Sequence, residues 1–375
     1  MLLRGPTYPW PPTPFDVSRV IFDSQVFIEQ RHGGVSRYFS ALAEHLLDTQ
    51  WTPFIARGVS PDPLDLAPGI EDFGPRLPLP RVGHTFRARR RINSLLMRAF
   101  RPRPDGRSVY HPTWYHGPTM ATWGSLPVVL TIHDLIPEKW PGVTSPSQLI
   151  DRREAIRKAR AIVCVSESTQ AELGVHYPWA VAKSQVTLLG MSDLAGKLEP
   201  PSESPRPYFV HVGKRGAYKD FATIVRALAI TPADVQVVAA GGGPRSETEE
   251  EMLAGARLES RVRFEPDPSD GALAQLLDES QGLISASREE GFGLPALEAL
   301  GRGRPVILSD IPVYRELFGK WGRFFAPGDH EDLASAVLEV LDKPPLQPSR
   351  SDLEAAFSWT ETARITATAY DRAVS

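Results

Sequence analysis

LISASREEGFGLPALEAL, residues 283–300, places a short apolar strand, a glycine turn and an amphipathic helix in direct succession. Pro295 suits the first turn of that helix, and Leu297 and Leu300 belong to its apolar face. Open α/β sheets bind ligands at this kind of edge, where a strand passes through a tight turn into a helix. The stretch therefore predicts a parallel sheet with a ligand site beside the turn.

The same alternation of short apolar runs and amphipathic stretches extends over most of the chain. It is typical of βαβ units, and almost wholly apolar strands are expected where both faces of a parallel sheet are covered. The predicted strands are Val20–Phe22, Pro53–Ala56, Val109–His111, Val128–Ile132, Ile162–Val165, Val186–Leu189, Tyr208–Val212, Val235–Ala239, Val262–Phe264, Leu283–Ser285 and Val306–Leu308. The predicted fold class is α/β, with two doubly wound, Rossmann-like domains facing a central cleft.

A length of 375 residues favours two domains. Proline-rich sequence marks a tail at 1–17 and a linker at 194–207, because proline disfavours both helix and sheet. The domains are then predicted at 18–193 and 208–355. Residues 356–375 are predicted to form an amphipathic helix that packs back on the first domain. The segment Ser60–Arg81 reads as a long irregular connection.

The composition is that of a globular protein without a bias toward polyanions. Hydrophobic residues make up 42% of the chain and charged residues 23%, with a formal net charge of −3, so nucleic acid is not an expected partner. Cys164, the single cysteine, lies in an apolar run and is expected to be buried. No stretch reaches the ~18 apolar residues of a membrane span, and no export signal opens the chain. We expect a cytoplasmic protein.

The predicted ligand turn consists of Gly291, Phe292, Gly293 and Leu294. A helix start offers backbone N–H groups and the positive end of the helix dipole, both suited to phosphate or sugar oxygens. Glu290 precedes the turn and Glu298 lies about one helical turn beyond it, so both could accept hydrogen bonds from hydroxyls. A tight turn followed by an ordinary surface glutamate explains the spacing equally well.

A basic loop opens the second domain with the sequence HVGKRGAYKDF, residues 211–221. Three cations within six residues, after a strand, could bind a diphosphate whose negative charge grows as a leaving group departs. A solvated basic loop is the alternative. We predict Arg215 and Lys219 as the phosphate-binding cations.

Two segments of the first domain follow predicted strands. Gly33 and Gly34 open an amphipathic helix, and glycines there would let a phosphate approach the helix start closely. His133 and Asp134 follow the apolar strand Val128–Ile132, at the end where α/β folds place active-site residues.

Aromatic and arginine-rich segments of the first domain are further candidates. Trp114 and Tyr115 suit sugar stacking, although core packing explains Trp114 as well. Arg87–Arg107 could contact an anionic membrane or a lipid-linked acceptor. A solvated helix beside the acceptor site is the simpler explanation of that segment.

Glu290-x7-Glu298 around Gly-Phe-Gly-Leu-Pro resembles the signature of family 4 retaining glycosyltransferases with the GT-B fold, and the similarity continues through Pro305–Asp310 and Pro327–Asp329. In that family the first glutamate contacts the donor sugar and the second binds the ribose, which implies these roles for Glu290 and Glu298. The cationic loop resembles the family pattern in which a cation is followed by Lys-Asn or Lys-Gly, with Asp220 replacing the Asn.

The resemblance extends to the first domain. The Gly33–Tyr38 segment is similar to the Gly-Gly-Ile-Ser-Arg-Tyr block of a mannosyltransferase-like branch, which implies that Gly33 and Gly34 face the donor diphosphate. By the same resemblance His133 contacts the transferred sugar near its anomeric centre, with Asp134 orienting it. The turn Gly241–Pro244 is implied to lie near the nucleotide base.

The resemblance implies a retaining hexosyltransferase whose N-terminal domain serves the acceptor and whose C-terminal domain binds the nucleotide sugar, with GDP-mannose or another GDP-sugar favoured. The acceptor would be a hydroxyl of a glycan, a lipid-linked glycan or a natural product. The chain shows no Asp-x-Asp metal motif after a strand, so we predict no metal and no cofactor besides the donor. The alternatives are a nucleotide-sugar 2-epimerase of the same fold and a non-catalytic two-domain sugar-binding protein.

Overall fold

The structure is a computed structural model that describes residues 18–29, 33–56, 59–60, 68–73, 77–78, 92–93, 95, 105–117, 120, 125–191 and 207–375. The predicted tail, nearly all of the predicted linker and most of Arg87–Arg107 lie outside these residues. The chain divides into two compact units. Unit 1 comprises Met1–Gly190 and Trp359–Ser375, and unit 2 comprises Met191–Ser358.

Unit 1 is built on parallel strands. These are β1 (Ser18–Phe22), β2 (Trp51–Ala56), β3 (Val59–Ser60), β4 (Glu71–Phe73), β5 (Leu77–Pro78), β6 (Ser108–His111), β7 (Val129–Ile132), β8 (Ala161–Cys164) and β9 (Ser184–Val186). The sheet β4-β2-β1-β6 is joined to the sheet β7-β8-β9 by a parallel bridge between Tyr110 and Val128, and β3 pairs with β5. The carboxyl ends of β1, β6 and β7 therefore lie at one edge.

Helices connect these strands. They are α1 (Gln25–Glu29), α2 (Gly34–Leu46), α3 (Ile136–Lys139), α4 (Pro146–Lys158), α5 (Glu167–His176) and, at the end of the chain, α13 (Trp359–Val374), with a 3-10 turn at Pro178–Lys183. Helix α13 packs mainly on α2 and β8. Thr362 Oγ1 donates to the Leu188 carbonyl at 2.6 Å, and a Cβ on Gly190 would meet the Trp359 ring at 2.2 Å. The terminal helix is thus an integral part of unit 1.

Unit 2 is one six-stranded parallel sheet in the order β12-β11-β10-β13-β14-β15. Its strands are β10 (Tyr208–Val212), β11 (Gln236–Ala240), β12 (Val262–Glu265), β13 (Gly282–Ser285), β14 (Val306–Ser309) and β15 (Arg323–Phe325). Its helices are α6 (Phe221–Ile230), α7 (Glu247–Ala256), α8 (Asp270–Glu279), α9 (Leu294–Gly301), α10 (Pro312–Phe318), α11 (His330–Asp342) and α12 (Arg350–Ala356), with a 3-10 turn at Ala217–Lys219. Strand order reverses between β10 and β13, which is the switch point where such sheets bind ligands.

The parallel sheets of the two units, with helices between their strands, confirm the predicted α/β class. Every predicted strand overlaps an observed one, and Val186–Leu189 overlaps least, by its first residue. Strands β3, β4, β5 and β15 were not predicted, and β4 and β5 lie within the segment Ser60–Arg81 that was predicted to be irregular. No helix among the described residues is long and apolar enough to cross a bilayer.

Candidate functional site

The glycine turn of unit 2 connects β13 to α9. Gly293 is the N-cap of α9 with φ 101°, a conformation that side chains with a Cβ rarely adopt. A Cβ at this position would also lie 2.6 Å from Cε1 of Tyr314. Phe292 is 5% exposed and its ring packs edge-on against Phe357 at 5.9 Å, so only its backbone is available to a ligand. No side chain caps α9. Pro295 has no N–H, and the Ala296 and Leu297 N–H groups donate to the Gly293 carbonyl at 2.9 and 3.3 Å, so the Leu294 N–H is the first-turn donor without a backbone partner among the described residues.

Glu290 stands directly before this turn, and three donors converge on its Oε1. They are Lys219 Nζ at 2.5 Å, Ser287 Oγ at 2.8 Å and the Tyr314 hydroxyl at 3.3 Å. The Lys219 and Glu290 side chains are 15% and 13% exposed. Burial, followed by the charge of Glu290, holds the pKa of Tyr314 well above its usual value, so the phenol stays protonated and donates. The carboxylate is therefore held in place while its Oε2 atom takes no part in these three bonds.

Glu298 lies on α9, one helical turn beyond Leu294, and is 7% exposed. A carboxylate this buried is rare unless it is paired or serves a ligand. Glu290 and Glu298 thus lie on the two sides of the turn, as the sequence spacing requires.

Arg215 occupies a different place from the phosphate-binding one we predicted. Its guanidinium donates from Nε to Glu249 at 2.6 Å, from Nη1 to the Gly241 carbonyl, and from Nη2 to the carbonyls of Gly243 and Pro244 at 3.0 and 2.9 Å. The side chain is 4% exposed. These bonds commit Arg215 to shaping the Gly241–Pro244 turn. Lys214, beside it in sequence, is exposed.

The basic loop and the glycine turn of residues 241–244 touch through their backbones. A Cβ on Gly242 would lie 2.7 Å from the Gly213 carbonyl oxygen, and Gly242 has φ 79°. Glycine is therefore required there both by space and by conformation. Arg215 and this glycine together fix the path of the loop that carries Lys214 and Lys219.

In unit 1, Gly33 is the N-cap of α2 in an extended conformation and Gly34 is the exposed first residue of the helix. No side chain of a described residue caps this helix either, and an uncapped helix start is the kind of place where an anion can bind. Gly33 and Gly34 lie in unit 1, whereas Glu290, Lys219 and the Gly291–Leu294 turn lie in unit 2.

His133 follows β7, and its ring meets Tyr38 edge-on at 4.9 Å. Burial, followed by the charge of Arg152, lowers the pKa of His133 to about 3, so the imidazole is neutral at ordinary pH. Its Nε2 atom is buried and has no hydrogen-bond partner among the described residues. Asp134 accepts the Ile136 N–H at 3.1 Å.

Tyr38, whose ring contacts His133, belongs to a buried hydrogen-bond network that was not predicted from the sequence. His111 contacts the Tyr370 hydroxyl at 2.8 Å and Thr131 Oγ1 at 2.9 Å, and Tyr38 shares the same threonine oxygen at 3.0 Å. Tyr370 belongs to α13, so the terminal helix supports the strand end that carries His133.

A cavity opens beside His133 and is lined entirely by residues of unit 1. Trp114 and Tyr115 form its aromatic wall, with ring centroids 5.8 Å apart. The Tyr115 hydroxyl donates to the Thr131 carbonyl at 3.0 Å, and the Arg152 guanidinium lies 4.5 Å from the centroid of the Tyr115 ring. Arg152 donates to the buried Glu138 at 2.7 Å. Helix α4, which carries Arg152, gave no site signal because its sequence PSQLIDRREAIRK reads as a solvated charged helix.

Both halves of the chain match models of known protein families. Residues 32–189 match the family model described as Glycosyltransferase Family 4, and residues 197–356 match the model described as Glycosyl transferases group 1. Together the two models leave unmatched only the residues before 32, those between 189 and 197 and those after 356.

A curated relative with similarity over a long stretch is the O-antigen chain mannosyltransferase RfbU of Salmonella typhimurium, which is 23% identical over 57% of this chain. The match spans 61% of that relative's length. The fold is similar to that of the sucrose-phosphate synthase of Thermosynechococcus elongatus, with a TM-score of 0.72 at 20% identity over 95% of this chain and 98% of that one. It is also similar to Anabaena HepE, solved in complex with UDP and glucose, with a TM-score of 0.68 at 16% identity over 94% and 99% of the two chains.

Proposed function

The chain belongs to the glycosyltransferases of family 4 and group 1, with their GT-B fold, and from that membership we propose that it moves a hexosyl group from a nucleotide diphosphate sugar to an acceptor hydroxyl. The observation that carries the proposal is the cluster of Lys219, Ser287 and Tyr314 around one oxygen of Glu290, at the start of α9. Such a carboxylate can accept a hydrogen bond from a sugar hydroxyl through Oε2. The adjoining helix start can receive phosphate or sugar oxygens.

The leaving diphosphate needs positive charge that is already in place, because its own charge grows as the glycosidic bond breaks. Within unit 2 we assign this role to Lys219 and Lys214 together with the start of α9. Phosphate contact at the start of α2 is a separate proposal, which rests on the family resemblance of Gly33 and Gly34. Arg215 supports them by fixing the loop, since its own donors are occupied by Glu249 and by the carbonyls of residues 241–244.

The reaction passes through an oxocarbenium-like centre. We propose that transfer retains the anomeric configuration, with attack on the face from which the diphosphate departs and the departing phosphate acting as the base. Glu290 holds the sugar, and the neutral His133 donates to or accepts from one of its hydroxyls. NMR of the product decides the stereochemistry, and an inverted anomer would exclude retention.

A GDP-sugar, and GDP-mannose in particular, is the donor we propose. The support is the mannosyltransferase named among the relatives and the resemblance of the Gly33–Tyr38 segment to that branch. HepE binds UDP, so UDP-sugars belong in any test. We propose as acceptor a glycan, lipid-linked glycan or natural-product hydroxyl, with membrane contact through Arg87–Arg107. We also propose transfer without a divalent ion, so activity should survive EDTA.

The test is a panel of GDP-, UDP-, ADP- and dTDP-sugars, scored by thermal shift and by slow hydrolysis without acceptor. The panel is run on the unmodified protein, on Glu298→Gln and, as a matched control, on Glu354→Gln at the exposed end of α12. A ligand at about 100 times its Kd adds about 2.7 kcal/mol to native stability. One donor should stabilise the unmodified protein and the control, and should bind Glu298→Gln at least about tenfold more weakly.

Two results would count against the proposal. If no sugar nucleotide binds, the transferase assignment loses its main support. If a donor is converted to its 2-epimer in the absence of acceptor, the epimerase alternative is favoured.

A further inference from the structure

The cavity beside His133 is open to solvent, with about 580 Å³ of space when its open mouth is counted, and its walls differ in chemistry. One wall is the aromatic pair Trp114 and Tyr115. The facing residues come from α4 and its N-terminal approach and include Gln148 and Asp151. An aromatic face opposite a few hydrogen-bonding groups is the arrangement that receives the apolar face and the hydroxyls of a sugar ring.

Gln148 presents a donor to this cavity because its oxygen is already occupied. Its Oε1 accepts from the Ser145 N–H at 3.1 Å and from the hydroxyls of Ser145 and Thr144 at 2.9 and 3.0 Å, as part of the capping box of α4. A backbone N–H can only donate, so the atom facing it is the amide oxygen. Nε2 has no acceptor in the part of the chain that the structure describes, and it is left for a ligand oxygen.

Asp151 presents an acceptor. Its Oδ2 takes the Gly117 N–H at 3.0 Å, and a Cβ on Gly117 would lie 2.3 Å from Oδ1, so only glycine lets the loop after Trp114 approach so closely. Gln25 also holds that loop through two hydrogen bonds. Its Oε1 accepts the His116 N–H at 3.0 Å, and its Nε2 donates to the Trp114 carbonyl at 3.3 Å. The aromatic wall and the carboxylate are therefore fixed relative to each other.

The described residues that line the cavity carry a net negative charge. Asp134 and Asp151 line it, whereas the positive charge of Arg152 is matched by Glu138, and both of those side chains are 5% exposed. An anionic ligand would meet like charge at short range, which costs free energy in a partly desolvated site.

We infer that this cavity is the acceptor subsite and that it takes a saccharide ring without negative charge, stacked on Trp114 and Tyr115, with hydroxyls bonded to Gln148 and Asp151. The inference rests on the proposed transferase function and narrows its acceptor class. Sugar rings that carry phosphate or carboxylate are excluded by Asp134 and Asp151.

The test measures binding of small sugars to the full chain by saturation-transfer NMR. The probes are the methyl α-glycosides of mannose, glucose, galactose and N-acetylglucosamine, and mannose 6-phosphate serves as the anionic counterpart. At least one neutral glycoside should bind, and mannose 6-phosphate should bind at least about tenfold more weakly. Trp114→Ala should abolish this binding, whereas the matched control Trp179→Ala, at a half-exposed position of the same unit, should retain it.

Two polar variants separate binding from folding. Gln148→Glu keeps the cap, because glutamate serves the same capping box, but replaces the Nε2 donor with a charged acceptor. It should leave the melting temperature unchanged and weaken the neutral glycoside about tenfold. The asparagine in Asp151→Asn can still accept the Gly117 N–H. Because the variant removes a negative charge, it should reduce the difference in affinity between the neutral glycosides and mannose 6-phosphate.

Failure of the inference can be told from failure of the proposed function, since the donor panel is read without any acceptor. If a donor binds and is hydrolysed but no neutral glycoside binds, the acceptor inference is overturned and the transferase proposal stands. Equal binding of the phosphorylated and neutral sugars, or unchanged binding in Gln148→Glu, would overturn it as well.

Discussion

Asp220 adopts a left-handed conformation, φ 47° and ψ 45°, at the N-cap of α6. The family pattern has Asn or Gly after the second cation of this loop, and those residues adopt that conformation at the lowest cost. Asp is tolerated there for a similar reason, and its carboxylate accepts Arg288 Nε at 2.8 Å. The departure from the pattern is therefore one that the backbone permits, and it adds an ion pair.

We expect the stability of Asp220 variants to follow backbone conformation more than charge. Asp220→Asn should stay within about 0.5 kcal/mol of the unmodified protein, because Arg288 is half-exposed and pairs of that kind contribute little. Asp220→Ala should cost about 1–2 kcal/mol from the left-handed conformation, and Asp220→Gly should be the more stable of the two. Urea titration measures the order, and an Ala variant as stable as the Gly variant would contradict it.

Arg215 shows that the spacing of cations in the sequence does not determine the orientation of a single side chain. Three cations within six residues predict a phosphate-binding loop, but their spacing does not determine which of the side chains is buried. Arg215 packs over Phe264 at 5.1 Å and donates to three carbonyls, because the 241–244 turn offers it oxygens that only the folded chain brings together. Phe292 is a second case, since its ring enters the core while the turn around it is predicted correctly.

At the scale of elements, the β13–α9 turn depends on Gly293. We expect Gly293→Ala to destabilise the protein by about 1–3 kcal/mol, because of the strained φ and because Tyr314 must move to admit the Cβ. Since Tyr314 donates to Glu290, sugar-nucleotide binding should fall with it. The melting temperature and the donor panel measure the two effects.

Gly255→Ala is the matched control for this change. Gly255 lies inside α7 with open space where its Cβ would be, so alanine should raise stability there by about 0.5–1 kcal/mol. If Gly293→Ala behaved like Gly255→Ala, the turn would not be under the constraint we describe.

The elements that could be predicted are those whose burial leaves a mark in the sequence. Strands such as β8 and β14 are covered on both faces and read as unbroken apolar runs. Strand β15 begins with Arg323, so its sequence RFF does not read as an unbroken apolar run. Helix α4 illustrates the opposite limit: its arginines suggest solvent, yet Arg152 is buried between Tyr115 and Glu138, a pairing visible only once the chain is folded.

At the scale of the whole molecule, buried histidines couple stability to pH in both units. Burial lowers the pKa of His111 and His133 in unit 1 to about 3 and that of His211 in unit 2 to about 4, against about 6.5 in an unfolded chain. Below about pH 6.5 the unfolded chain takes up protons that the folded chain does not. The native state therefore has its full stability, as far as these histidines are concerned, above that pH. This stability is lost progressively as the pH falls.

We expect the free energy of unfolding to fall by about 1.4 kcal/mol per pH unit for each such histidine between about pH 6.5 and the folded-state pKa. His133→Phe isolates one of them, because Nε2 of His133 makes no hydrogen bond to the described residues that the variant would lose. Between about pH 7.5 and about pH 5.5, the free energy of unfolding of the variant should fall by about 1.4 kcal/mol less than that of the unmodified protein. Urea titrations at the two pH values measure this difference. If the two proteins lost stability equally over this interval, His133 would be protonated in the folded state, and a neutral imidazole could no longer be assigned beside the transferred sugar.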